Sequence, residues 1–395
     1  SDRDTQYSNS RPTAELMRQY IQTTAVSVIF IFASFLIGPI LSPYIKSLGY
    51  SAFQVSLIFA LFPLSVIFIT PLIGIISDHV GRRSIIRCGM VIQMCAFMLY
   101  VYGSESVFLL MLARILNAIA LTTVSLIGVS KINDLLTNSS RGKYSGIYLS
   151  FQRVGTIVAP LIGGILAETY APELPFLVAI IMIATLLLFL FPNARNKKLE
   201  FSKYHLNSFT EIRDFLKIKR LPGMAAIGSV MAANHTLFVA FFPIYVTENF
   251  ALGYEAVGYA CFAYYLGHIF QFYFGSLADR IGRKKVLLTG TSLVGLMWTF
   301  VPFLDSLLVL LGFLAIGGIG LGMWNVSALS ILSEIGEKKK REGRTMSSYT
   351  AFSKMGAFTG FIVWGVITTF LELKYLFILG GCLVLIGSFI IRRWI

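Results

Sequence analysis

Residues 74–84 read GIISDHVGRRS and residues 275–285 read GSLADRIGRKK. Laid over one another, Gly74 meets Gly275, Asp78 meets Asp279, Gly81 meets Gly282 and Arg82 meets Arg283, each at an offset of 201 residues. The same offset holds downstream, where SGIYLSFQRVG (145–155) lies over MSSYTAFSKMG (346–356), so that Arg153 meets Lys354 and Gly155 meets Gly356. One register kept over so long a stretch marks a duplicated unit of nearly half the chain.

Each copy of the loop follows a long apolar run. Of the 395 residues, 56% are hydrophobic and only 13% charged, whereas a water-facing globular surface takes about a quarter of a chain as charge. A soluble enzyme is excluded. A bilayer core about 30 Å thick needs roughly 20 apolar residues per helix. That ruler places spans near 24–46, 53–76, 85–103, 107–130, 145–167 and 174–192, then near 223–246, 256–277, 286–303, 306–331, 347–370 and 375–391. The expected fold is therefore all-α, with twelve membrane helices in two pseudo-symmetric bundles of six. Its parts are a tail (1–23), a first bundle (24–192), a linker (193–222), a second bundle (223–391) and a short C-terminal tail (392–395).

The net charge of +14 is unevenly placed. Arg82, Arg83, Arg87, Lys131, Arg141, Lys143, the linker cluster, Arg280 to Lys285, Lys338 to Arg344, Arg392 and Arg393 fall on one side of the spans; Lys46 and Lys374 fall on the other. Apolar stretches interrupt every basic cluster, which argues against a nucleic-acid partner. The positive-inside rule makes both termini and the linker cytoplasmic, and the cell membrane is the expected location. In the linker, Phe209, Ile212, Phe215 and Leu216 have helical spacing beside a basic face, as in a helix lying on anionic membrane lipids.

The doubled G-x-x-x-D-x-x-G-R-[RK] loop, the six-plus-six spans and the central linker together resemble the major facilitator superfamily over essentially the whole chain. The resemblance implies two bundles that rock about a central cavity to give alternating access. It also implies that loop charges, here Asp78, Arg82, Asp279 and Arg283, stabilise the outward-facing state. In the fifth span, Gly155, Ala159, Pro160, Gly163 and Gly164 resemble the G-x-x-x-G-P-x-x-G-G motif of drug/proton antiporters, with alanine in place of the middle glycine. Close packing of small residues explains the same pattern without that function. Arg114 sits where the family has its fourth-span arginine, which takes part in proton coupling there. The plainer reading is an arginine snorkelling to the outer interface from about 10 Å of depth.

Of the nineteen acids, none falls mid-span, a departure from the many drug antiporters with a buried carboxylate. Intramembrane charge is costly and marks function by default, so the bases carry the argument. Arg153 lies about 12 Å inside the fifth span and Lys354 occupies the repeat-equivalent place. Two cations facing one cavity from opposite halves would repel unless an anion completed the site. Otherwise each reaches backbone carbonyls or water. His235 and His268 are the groups near the membrane middle that titrate around neutral pH, either as proton carriers or as hydrogen-bonded bundle residues. Asn234, Tyr264, Tyr265 and Gln271 lie close enough in sequence to line the same cavity.

No nucleotide-binding loop of the G-x-x-x-x-G-K-[ST] type is present, no cofactor is implied, and Cys88, Cys95, Cys261 and Cys382 form neither a disulfide framework nor a metal pattern. The resulting expectation is a monomeric secondary transporter rather than an enzyme. Its cargo is a small molecule or lipid, and protons are the coupling ion. Proton-coupled efflux of an amphipathic, acidic compound leads. An organic-anion or phosphate-ester carrier and an anionic-lipid flippase are the alternatives.

Overall fold

The structure is a computed structural model that describes residues 14–135, 138–190, 215–218, 220–338 and 342–393. Every regular element among them is helical. In the first half these are α1 (Ala14–Leu36), α2 (Leu41–Ser47), α3 (Ala52–Val80), α4 (Arg82–Tyr102), α5 (Val107–Leu135), α6 (Asn138–Thr169) and α7 (Leu174–Thr185). In the second they are α8 (Leu221–Thr236), α9 (Phe242–Asn249), α10 (Tyr254–Leu266), α11 (Gln271–Ile281), α12 (Arg283–Phe300), α13 (Leu307–Lys338), α14 (Glu342–Ile367) and α15 (Leu373–Ile391). Among the described residues, ten helical stretches are long and apolar enough to cross a membrane. The sixth crossing is the shorter apolar helix Leu174–Leu188, and the eighth is α10 and α11, joined by the tight turn Gly267–Phe270.

Local chemistry sets the breaks. Gly38 and Pro39 separate α1 from α2, since proline has no N–H to continue the ladder. Ser51 and Gln54 close a reciprocal capping box at the start of α3. The two repeated loops reduce to one residue each: Gly81 (φ 93°) joins α3 to α4 and Gly282 (φ 102°) joins α11 to α12. Only glycine enters that region without strain, which explains why the loop keeps this glycine in both halves.

The repeat seen in the sequence is also a packing repeat. α6 lies on α1, and its counterpart α14 lies on α8. A Cβ on Gly356 would strike the Ser229 backbone, while Gly155 lies on the backbone of Val28 and Phe32. The halves meet through α6 on α10 and α3 on α14. Large apolar side chains such as Phe68, Phe108, Leu308, Phe370 and Phe389 point outward, a surface suited to lipid rather than water.

Three expectations need adjustment. The first helix begins at Ala14, ten residues ahead of the span read from hydropathy, because the polar turns before residue 24 still pack: Tyr20 is buried and its hydroxyl donates to the Tyr144 carbonyl at 2.8 Å. The eighth span is helical throughout but tightens to a 3₁₀ turn at Gly267–Phe270. The linker helix falls largely outside the described residues, but Phe215, expected on the membrane surface, is buried with its ring stacked 5.7 Å from that of Phe352 on α14.

Candidate functional site

Two adjoining cavities lie between the halves. The first, about 350 Å³, is lined by Arg153 and Thr156 of α6, Met231 of α8, and Leu321, Trp324 and Asn325 of α13. The second, about 460 Å³, is lined by Arg114 and Asn117 of α5, Phe59 and Phe62 of α3, and Ser353, Lys354 and Phe361 of α14. Phe35, Ala232, His235 and Tyr265 belong to both walls, so His235 stands where the chambers meet. Helix periodicity produces these walls: Arg114, Asn117 and Leu121 recur at i, i+3 and i+7 along α5, and Lys354, Ala357 and Phe361 do the same along α14.

Among the residues lining either cavity the charged side chains are cations: Arg153, Arg114 and Lys354, with His235 between them. Arg153 is exposed and Lys354 half-buried. Arg114 is only 8% exposed. It does not snorkel: its guanidinium carbon lies 4.3 Å from the Phe59 ring centroid and 4.7 Å from that of Phe62, and Nη1 donates to Asn117 Oδ1 at 3.3 Å. Its Nε is buried with no hydrogen-bond partner, and so is His235 Nδ1. The His235 ring stacks between Phe238 (5.9 Å) and Tyr264 (6.2 Å).

Three residues expected at the site stand off its walls. Asn234 is 1% exposed and turned toward α15, where its Nδ2 would meet a side chain placed at Gly380. It follows Ala233 and precedes His235, and a step of one residue rotates a side chain by about 100° around the helix. Tyr264 is buried behind His235, touching the site through that ring. Gln271 packs on α13 at Gly322. The His268 side chain lies outside the described residues. Conversely, Asn117 and Asn325 line the cavities and were legible as polar residues inside apolar spans. Phe35, Phe59, Phe62 and Trp324 carried no such signal, because an aromatic residue facing a cavity and one facing lipid read alike.

A seal lies on the side away from the repeated loops. Glu168 at the end of α6 accepts the Tyr254 backbone N–H at 2.7 Å, and Lys46 pairs with Glu248 at 3.5 Å, each across the halves. Gly164 lies on the Tyr254 carbonyl and Gly258 of the second half, while Gly365, its repeat equivalent, lies on Ser56 of the first. Of the antiporter-like motif, Gly155 and Gly163 thus pack within their own half, Gly163 on the Leu36 backbone. Pro160 lines the larger cavity and Gly164 makes the seal. Arg153 and Lys354 each precede a sealing glycine by about 16 Å of helix, so the cavities sit on the loop side of the seal.

At the loop face the gating charges pair within each half. Arg82 meets Asp134 at 2.6 Å, and Arg283 meets Glu334 at 3.0 Å, Asp279 at 3.5 Å and the Ser330 carbonyl at 3.1 Å. The Asp78 side chain lies outside the described residues. A Cβ at Gly74 would meet nothing within 4 Å, and one at Gly275 only Val326 at 3.6 Å.

Two parallel bundles sealed on one side of a shared, charged cavity define a helical membrane transporter. The chain belongs to the Major Facilitator Superfamily, whose sequence pattern matches residues 23–253 and again 224–395. It is 25% identical over 352 residues to an uncharacterized MFS-type transporter of Methanocaldococcus jannaschii, covering 86% of this chain and 89% of that one. It is also 25% identical over 286 residues to the synaptic vesicular amine transporter of Rattus norvegicus, a match covering 71% of this chain and 54% of the relative. Against the quinolone resistance protein NorA of Staphylococcus aureus the identity is 30% over 162 residues, covering 40% of this chain and 41% of that protein. Among solved structures, the nucleoside transporter NupG superposes with a TM-score of 0.74 at 13% identity, covering 95% of this chain and 98% of that one, a likeness of fold.

Proposed function

We propose that the protein works by alternating access in the cell membrane, with both termini cytoplasmic, and exports a small amphipathic compound bearing an acidic group in exchange for protons. One observation carries the substrate class: the charged side chains on the cavity walls are Arg114, Arg153 and Lys354, with no carboxylate among the described lining residues. A cation held without an acid beside it is costly where it is buried, as Arg114 is, and a bound anion offsets that cost. The aromatic walls supply the apolar surface that an amphipathic cargo needs. A cationic cargo, such as the amine in one relative's name, would meet repulsion instead.

His235 is the proposed proton carrier, since it stands at the junction of both chambers with an unpartnered ring nitrogen. With the basic side cytoplasmic, as the positive-inside rule requires, the seal of Glu168, Gly164 and Gly365 closes the outer face, and the present state faces inward. Arg82 and Arg283, held here by acids of their own half, would exchange those partners when the loop face closes.

A second reading, exchange of one organic anion or phosphate ester for another without protons, draws on the same cations together with the lack of a lining acid. Reconstituted vesicles separate the two. Proton-coupled export requires that an imposed pH gradient drive accumulation of an aromatic carboxylate and that His235→Gln abolish the drive. Accumulation that ignores pH but follows an opposing anion gradient defeats the proton reading.

A further inference from the structure

Arg114 has features that its expected part in proton coupling does not require. It is buried, its guanidinium lies against the aromatic rings of Phe59 and Phe62, and its hydrogen bonding therefore runs through the in-plane N–H edge. On that edge Nη1 is committed to Asn117 Oδ1 and the Tyr100 hydroxyl lies beside the guanidinium, while Nε makes no hydrogen bond. No carboxylate of the described residues forms an ion pair with it, so there is no carboxylic acid among them whose proton it could tune. Its side chain lines the larger cavity, whose other walls are mostly apolar.

We propose that Arg114 is the substrate's anchoring residue and that its ligand is a planar carboxylate on a hydrophobic, preferably aromatic, body. This rests on the reading of the cavity as an anion site and narrows it. A guanidinium edge pairs two parallel N–H groups with the two oxygens of a carboxylate in one plane. A tetrahedral phosphate or phosphonate would also engage the edge, but its out-of-plane oxygens would be pressed toward the Phe59 and Phe62 rings. Those rings offer no hydrogen bond to offset the lost water. A lysine in the same place would keep the charge and lose the fork. Phe59 also touches Phe361 across the halves, with centroids 5.9 Å apart. The anchor is thereby tied to a contact that must break when the halves rock, which places substrate binding next to the moving interface.

The test uses the full chain in lipid nanodiscs and equilibrium binding of three probes with one body: 2-naphthoate, 2-naphthamide and 2-naphthylphosphonate. The wild type is expected to bind the carboxylate at least tenfold more tightly than either of the others. Arg114→Lys should lose at least tenfold for the carboxylate with little change for the amide. Should that variant fail to fold, Phe62→Leu gives the second arm, since opening the aromatic cover should narrow the gap between carboxylate and phosphonate. Full carboxylate affinity in Arg114→Lys, or phosphonate bound as tightly as carboxylate by the wild type, overturns the assignment. If carboxylate binding instead disappears only in Arg153→Ala or Lys354→Ala, the anion reading survives and the anchor does not. If the wild type binds none of the anionic probes, the anion reading itself falls.

Discussion

Glu168 of the first half caps a helix of the second: its carboxylate accepts the Tyr254 N–H at 2.7 Å, at the first turn of α10. A carboxylate at a helix N-terminus satisfies an orphan donor and faces the positive end of the helix dipole. Gly253 makes the approach possible, because a Cβ there would run into the Glu168 carboxylate. Under the proposed alternating access, the contact exists only while this face is closed. Removing it with Glu168→Ala should cost the closed state about 1 kcal/mol, or roughly a fivefold shift toward outer opening. Spin labels on cysteines at the exposed positions 170 and 303, one in each half, would report this as growth of a longer-distance population. An unchanged distribution would mean that the cap carries no conformational weight.

The sealing glycines make a stricter case. Gly164 and Gly365 are repeat equivalents, and a Cβ added at either would clash with the opposite half. Gly164→Val or Gly365→Val should hold the outer face open and lower transport more than tenfold, with the protein still folded. Gly74→Ala should change little by comparison in the inward-facing state, as its Cβ would meet open space. Equal effects at Gly74 and Gly164 in a cysteine-accessibility assay would contradict this account of the interface.

Much of this was legible beforehand, and the reasons are physical. Spans, halves and basic loops follow from hydropathy and charge, quantities that lipid fixes without reference to neighbours, and the 201-residue offset carried Arg153 onto Lys354. Rotation about a helix axis was not legible. Asn234 and His235 differ by one residue, yet one faces α15 and the other both cavities. The choice depends on which neighbours are present, not on polarity. The aromatic walls were hidden for the same reason, and a snorkelling Arg114 stayed open as the alternative to proton coupling because its covering rings come from α3, a helix distant in sequence.

Gly81 and Gly282 hold the repeated turns with φ near +93° and +102°. Placing an L side chain there costs roughly 1–3 kcal/mol per site. Gly81→Ala and Gly282→Ala should each lower the unfolding temperature measurably, and the double variant should lower it by nearly the sum, as the sites share no partner. A single variant as stable as the wild type would show that the turn relaxes without cost.

The cation pairs at the loop face bear on the same equilibrium from the other side. Arg283→Gln would leave Glu334 without its 3.0 Å partner. Both side chains are partly exposed, so the stability loss should stay below about 1 kcal/mol. The effect should appear instead in the rate of interconversion. Stopped-flow quenching of a fluorophore placed on the loop face would detect it, and a large loss of stability with unaltered kinetics would contradict the gating role.

The central claim is that the cavity selects for negative charge. The most direct measurement compares two ligands of one shape and opposite charge, 2-naphthoate and 2-naphthylmethylammonium, by equilibrium binding to the wild type and to the Arg153→Gln, Lys354→Gln double variant. The wild type should bind the acid at least tenfold more tightly, and the double variant should lose part of that preference, the remainder being held by Arg114. Equal or tighter binding of the ammonium ligand by the wild type would contradict the account.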